Sequence, residues 1–278
     1  MDKGRDEHRS QEEDEDEDEY TDEHTITFKE RKSKYGRRTQ VEVLLGFVVH
    51  LLMLFYWVFV HVYDASVVKS LSEDARRVAF PTHDQFLGRW RFLTYINMWM
   101  CLGYYFLAFF TDIMPRSYLK GVFQDIVDFA FTALIFPMSL FVAVAFWGVY
   151  AVDREGIYPL ILDSLLPSLL NHVWHSFIVV CVILEMLLVF HPYPTALRAI
   201  ISMFVINIIY SIMVVYLRQA TGKWAYSFLH SFPPPLVPVF FASSYVTTII
   251  FYYIGKTLAY LRWGDRITAN IKGEVKQD

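Results

Sequence analysis

Six long apolar runs, at about 41–62, 92–110, 126–151, 168–190, 197–217 and 236–258, are separated along the chain by short polar breaks. A helix rises 1.5 Å per residue and needs roughly 20 apolar residues to cross the hydrocarbon of a bilayer; each run is long enough. Lipid offers the backbone no hydrogen-bond partner, so runs of this kind satisfy themselves as helices. A soluble helical protein of this size would carry polar faces at helical spacing, which these runs lack. The pattern predicts an all-α, polytopic membrane protein: six transmembrane helices in one bundle over residues 39–260. Pro137 lies inside the third run, where its ring removes an i→i−4 hydrogen bond and should kink the helix.

Composition agrees, with 55% hydrophobic and 18% aromatic residues among 278. Charge adds detail at the ends. Residues 1–38 hold 14 acidic and 9 basic side chains, the other 240 hold 15 and 16, and Glu12 to Glu19 are eight carboxylates in a row. Repulsion at that density opposes collapse, so residues 1–38 read as a disordered tail, acidic and then basic. A basic protein could dock there, but the tail names no partner, and nothing in the charge pattern provides for nucleic acid. Residues 261–278 read as a second, short tail. With Lys256 counted to it, the side holding both termini carries 17 lysines and arginines and the other side 8, which puts both termini in the cytosol. The cluster from Lys29 to Arg38 also suits anionic lipid head groups. Endoplasmic reticulum and plasma membrane both satisfy this topology. The acidic start is no secretory signal peptide. Cys101 and Cys181 both fall inside spans and form no disulfide framework.

Ionisable groups inside a membrane usually face the bundle interior and mark a working site. The fourth run carries Asn171, His172, His175, Ser176 and Glu185. On a helix Asn171, His172 and His175 share a face. Three readings fit: an interhelical hydrogen-bond clamp, a metal site, or a general base for a nucleophile on another helix. His-x-x-His spacing permits a metal, but no third ligand is fixed and catalytic zinc normally takes three. Thr94 is the first hydroxyl of the second helix, which starts from the same face. It lies roughly 5 Å inside that face and His175 roughly 10 Å, so the two could meet. Taken alone, Thr94 reads as a residue bonded to its own i−4 carbonyl, as membrane threonines are. Glu185, ten residues past His175, reads as a structural hydrogen bond. Asp125 and Asp128 read as helix-end charge balance. Asp153, Arg154 and Glu155 suit pairing among themselves or a carboxylate head group.

Several motifs, in order, resemble the androgen-induced transmembrane protein family, the group of the androgen-dependent TFPI-regulating proteins. They are Trp90-Arg91-Phe92-Leu93-Thr94, Phe146-Trp147, Tyr150 to Glu155, Leu170-Asn171-His172-Val173-Trp174-His175 and Thr221-Gly222-Lys223-Trp224. The resemblance spans about 41–260; the long acidic tail and the extended final polar end depart from it. It implies a membrane-embedded threonine hydrolase that cleaves fatty acid esters of hydroxy fatty acids, with membrane lipids around it and no cofactor or metal. By motif matching, Thr94 is the expected nucleophile and His175 the base, with His172 supportive. Asn171, Asn97 and Trp174 are candidate donors to an oxyanion. A non-enzymatic signalling or scaffold protein and a small transporter using His172, His175 and Glu185 are the competing readings.

Overall fold

Thr39 opens the first helix with a reciprocal cap: its Oγ1 accepts from the Glu42 N–H at 3.1 Å, and Glu42 Oε2 accepts from the Thr39 N–H at 2.8 Å. From there α1 (Gln40–Ser70) runs without interruption. The computed structural model describes residues 39–80, 87–115 and 117–275, with side chains to residue 264. The tail expected at 1–38 lies outside the described residues.

After α1 come a short helix at Glu73–Ala79, a 3₁₀ turn at Gly88–Arg91, and α2 (Leu93–Ile113). The third span, α3 (Tyr118–Val152), is followed by α4 (Ser168–Leu188), α5 (Ala196–Thr221) and α6 (Leu236–Val275). Among the described residues there is no strand, and six helices are long and apolar enough to cross a membrane. α3 is the most enclosed and α5 the least. Large apolar side chains such as Leu52, Phe55, Ile209 and Ile212 point outward, the arrangement expected where the solvent is lipid.

The boundaries differ from the sequence reading in physically informative ways. α1 extends to Ser70 because Asp64, which would be costly in lipid, is buried within the protein. α3 contains a wide π turn at Phe131–Ile135, where the Phe136 N–H reaches back five residues to the Phe131 carbonyl. The irregularity expected at Pro137 is thus expressed just before it: the wide turn admits a residue that has no N–H and whose ring crowds the i−4 carbonyl. α4 breaks at Ser176, between Ser168–His175 and Phe177–Leu188. α5 ends on Gly222 at φ 72°, a left-handed cap that suits glycine. α6 runs on past residue 260, so the expected tail there starts as helix; Trp263 Nε1 donates to the Met186 carbonyl at 3.0 Å and ties this extension to α4.

Candidate active site

The chain enters α2 through Phe92, an extended residue that gives no side-chain cap. Its N-terminal donors therefore find partners elsewhere. The Leu93 N–H meets Tyr226 Oη at 2.9 Å and Tyr210 Oη at 3.1 Å. The first turn-closing bond of the helix is Ile96 N–H to the Phe92 carbonyl, at 3.2 Å. Thr94 and Tyr95, the second and third residues of α2, thus present their amides before the helical ladder begins. Burial holds the Tyr226 phenol above its ordinary range, so it stays a neutral hydroxyl.

α4 supplies the imidazole. Thr94 Oγ1 lies 3.3 Å from His175 Nε2. The other ring nitrogen, Nδ1, is 2.9 Å from Asn171 Oδ1 and 3.1 Å from the Asn171 carbonyl. Two acceptors at Nδ1 assign the ring hydrogen there, and Nε2 then turns a lone pair toward the threonine hydroxyl. Phe146 of α3 fixes the ring plane by stacking at 3.4 Å between centroids, tilted by 4°. Both side chains line a cavity of about 220 Å³ whose walls are mostly apolar, among them Met98, Phe146, Phe228 and Phe240. Tyr210, Tyr226 and Asn207 add polar points to that lining.

The remaining residues singled out from the sequence are placed differently. His172 does not share the inward face: it is exposed, its Nδ1 pairs with Ser176 Oγ at 3.1 Å and its ring lies over Trp147. A helical turn brings it near His175 in height but points it outward. Asn97 is buried one turn below Thr94, donates to Ser139 Oγ at 3.3 Å and does not line the cavity. Trp174 does line it, but its indole N–H is already given to Asp64 Oδ1 at 2.9 Å. Asn171 does not line the cavity, and its two oxygens meet His175 Nδ1, where they orient the imidazole. Of the three expected oxyanion donors only Trp174 reaches the cavity wall. Asp128, expected to be a hydrated helix-end charge, is buried and pairs with His191 at 2.7 Å. Arg154 pairs with Asp163, Asp153 caps the Gly156 N–H at 2.9 Å, and Glu155 accepts from the Leu160 N–H, so these three do not pair among themselves. Glu185 makes the expected deep structural bonds, to His50 and His191 and not to His172 or His175.

Sequence reasoning overlooked the brace behind the site. Arg89 grips Asp64 with two bonds, of 2.5 and 2.7 Å, and its guanidinium lies 4.5 Å from the Tyr95 ring centre and 5.5 Å from that of Trp174. This joins the end of α1 to the entry of α2 and to α4. A lone acid at the end of an apolar run, with an arginine in the next loop, was the available signal.

Residues 45–260 match the family model described as FAR-17a/AIG1-like protein. The chain is 28% identical over 199 residues to the androgen-induced gene 1 protein of Homo sapiens, covering 68% of this chain and 83% of that protein. It is 29% identical over 226 residues to the androgen-dependent TFPI-regulating protein of Homo sapiens, with coverages of 78% and 93%. To the protein of the same name from Mesocricetus auratus it is 28% identical over 228 residues, covering 81% and 96%. No solved structure matches it.

Proposed function

The chain belongs to the FAR-17a/AIG1-like family of multi-pass integral membrane proteins, and on that premise we propose that it hydrolyses lipid esters through Thr94 and His175. The substrate class we propose is the fatty acid esters of hydroxy fatty acids. The observation that carries the reading is the contact between Thr94 Oγ1 and His175 Nε2, at 3.3 Å, on the wall of an apolar cavity.

The steps follow from the geometry. His175 Nε2 accepts the Thr94 hydroxyl proton as Oγ1 attacks the ester carbonyl carbon. Asn171, on Nδ1, keeps the ring in the accepting tautomer and stabilises the imidazolium that forms. The carbonyl oxygen becomes an oxyanion, for which the Thr94 and Tyr95 amides at the positive end of α2 are the donors we propose. The tetrahedral adduct collapses, the C–O bond of the ester breaks, and the departing alkoxide takes the proton from His175. The hydroxy fatty acid leaves and the acyl group stays on Thr94. A water molecule then gives a proton to Nε2 and attacks the acyl carbon. Release of the fatty acid returns the proton to Oγ1. Apolar walls suit two hydrocarbon chains, and an ester dissolved in the leaflet reaches such a site without crossing bulk water.

The test is hydrolysis by purified full-length protein in detergent, with a branched ester of a hydroxy fatty acid as substrate. Thr94→Ala is expected to abolish turnover, and His175→Ala to lower kcat by roughly 10²–10⁴-fold. Wild-type rates in both variants would overturn the reading.

A further inference from the structure

At the far end of α4 from His175 lies a second cluster, built from four helices and a connector. His50 comes from α1, Tyr104 and Asp112 from α2, Asp128 from α3 and Glu185 from α4, while His191 stands in the connector to α5. Ten residues of α4, about 15 Å of helix axis, separate Glu185 from His175. His50, Tyr104, Asp128, Glu185 and His191 are all buried.

The arrangement has two shells. In the inner one, Glu185 Oε1 lies 2.9 Å from His50 Nε2, 3.0 Å from His191 Nε2 and 2.9 Å from Tyr104 Oη. One ligating atom each from His50, Glu185 and His191 falls within a 4.8 Å sphere of mutual distance. In the outer shell, His50 Nδ1 meets Asp112 Oδ2 at 2.6 Å and His191 Nδ1 meets Asp128 Oδ1 at 2.7 Å. Gln124 in turn donates to Asp128 Oδ1 at 3.2 Å. Glu185 Oε2 is completely enclosed and has no hydrogen-bond partner.

A carboxylate sealed in a membrane bundle with one oxygen unsatisfied is costly, and a cation bound across both oxygens would satisfy it. The histidines are prepared for the same event. An aspartate on each Nδ1 takes that nitrogen's hydrogen and leaves Nε2 as a lone pair aimed at the common centre. Metal-bound histidines carry this backing: the outer carboxylate fixes the tautomer and makes the inner nitrogen a better ligand. Lone pairs on two imidazoles and a carboxylate cannot rest 2.9–3.0 Å apart without positive charge between them. Two protons supply it, or one divalent cation does. Only the cation also takes up Glu185 Oε2.

We propose that His50 Nε2, His191 Nε2 and both oxygens of Glu185 bind a zinc ion in a distorted tetrahedral, four-donor site. Two imidazoles and one carboxylate are ligands zinc accepts, at roughly 2.0–2.2 Å. Ligand atoms around such an ion lie about 3.4 Å apart, so binding spreads the present contacts by about half an ångström. All three ligands come from elements that end at this side of the bundle, and the ion locks α1, α4 and the connector together. Its role is architectural and independent of the hydrolase reading.

The experiment uses full-length protein in detergent, incubated with equimolar zinc sulfate, desalted and analysed for metal by mass spectrometry. Wild type, Thr94→Ala and His172→Ala are each expected to retain about one zinc per chain, and the double variant His50→Ala His191→Ala less than about a tenth of that. Cobalt(II) loaded into wild type reads the site without any variant: an intense tetrahedral visible band that zinc displaces supports the proposal. A wild type that retains no more zinc than the double variant, or a cobalt spectrum of the weak octahedral kind, overturns it.

Discussion

α4 carries two imidazole sites, one at each end, and they differ in what their nitrogens are left to do. At His175, Nδ1 is held by Asn171 and Nε2 faces a neutral hydroxyl beside an apolar cavity. At the other end, His50 and His191 have carboxylates on both nitrogens and take no part in lining that cavity. A neutral imidazole with one uncommitted lone pair beside space for a substrate can move a proton. An imidazole clasped between carboxylates is fixed in position and suits holding structure or metal. The same residue type thus acquires two fates from its neighbours.

Breaking each end separately sharpens that contrast. The largest expected effect on catalysis beyond the reacting pair is at Asn171: Asn171→Ala frees the ring to turn or change tautomer and is expected to lower kcat by roughly 10²-fold with KM little changed, measured by steady-state ester hydrolysis. At the other end, His50→Ala leaves Asp112 and Glu185 without their shared partner. Loss of one member of a buried charge pair costs about 3–5 kcal/mol, so its thermal unfolding midpoint in detergent should fall well below that of wild type. Next comes Asp64→Asn, which weakens the grip of Arg89 and loosens Trp174. It should raise KM more than it lowers kcat, because the cavity wall moves while the reacting pair stays. The smallest effect is expected at His172→Ala. Since that ring faces outward onto Trp147, turnover should stay within about twofold of wild type. A large loss there would show that the two histidines work together after all.

How much of this was legible depended on the scale of the signal. The six spans are written in runs of about 20 residues, and every one appears. Their ends are not, because ends depend on burial: Asp64 sits in α1 only since Arg89 and Trp174 await it. The neighbourhood of Thr94 and His175 was legible from depth and from family motifs. The inward face was not. Spacing placed His172 beside His175, but the turn that ends at Ser176 directs one ring inward and the other outward. His50 is the instructive omission. It stands in the middle of the first apolar run, with Glu42 and His61 near the run's ends, and the rule that draws attention to histidines in the fourth applies to it equally. What hid the cluster is that its members lie as far as 141 residues apart in sequence, on four helices and a connector, with no local spacing to announce them.

The central claim is that Thr94 Oγ1 becomes bonded to carbon during turnover. The most direct measurement is peptide mapping by mass spectrometry after wild-type protein reacts with an electrophilic phosphonate probe of the kind that traps hydroxyl nucleophiles. The account predicts one adduct, on Thr94, strongly reduced in His175→Ala. An adduct on another residue at the same yield, or full labelling of Thr94→Ala, would contradict it.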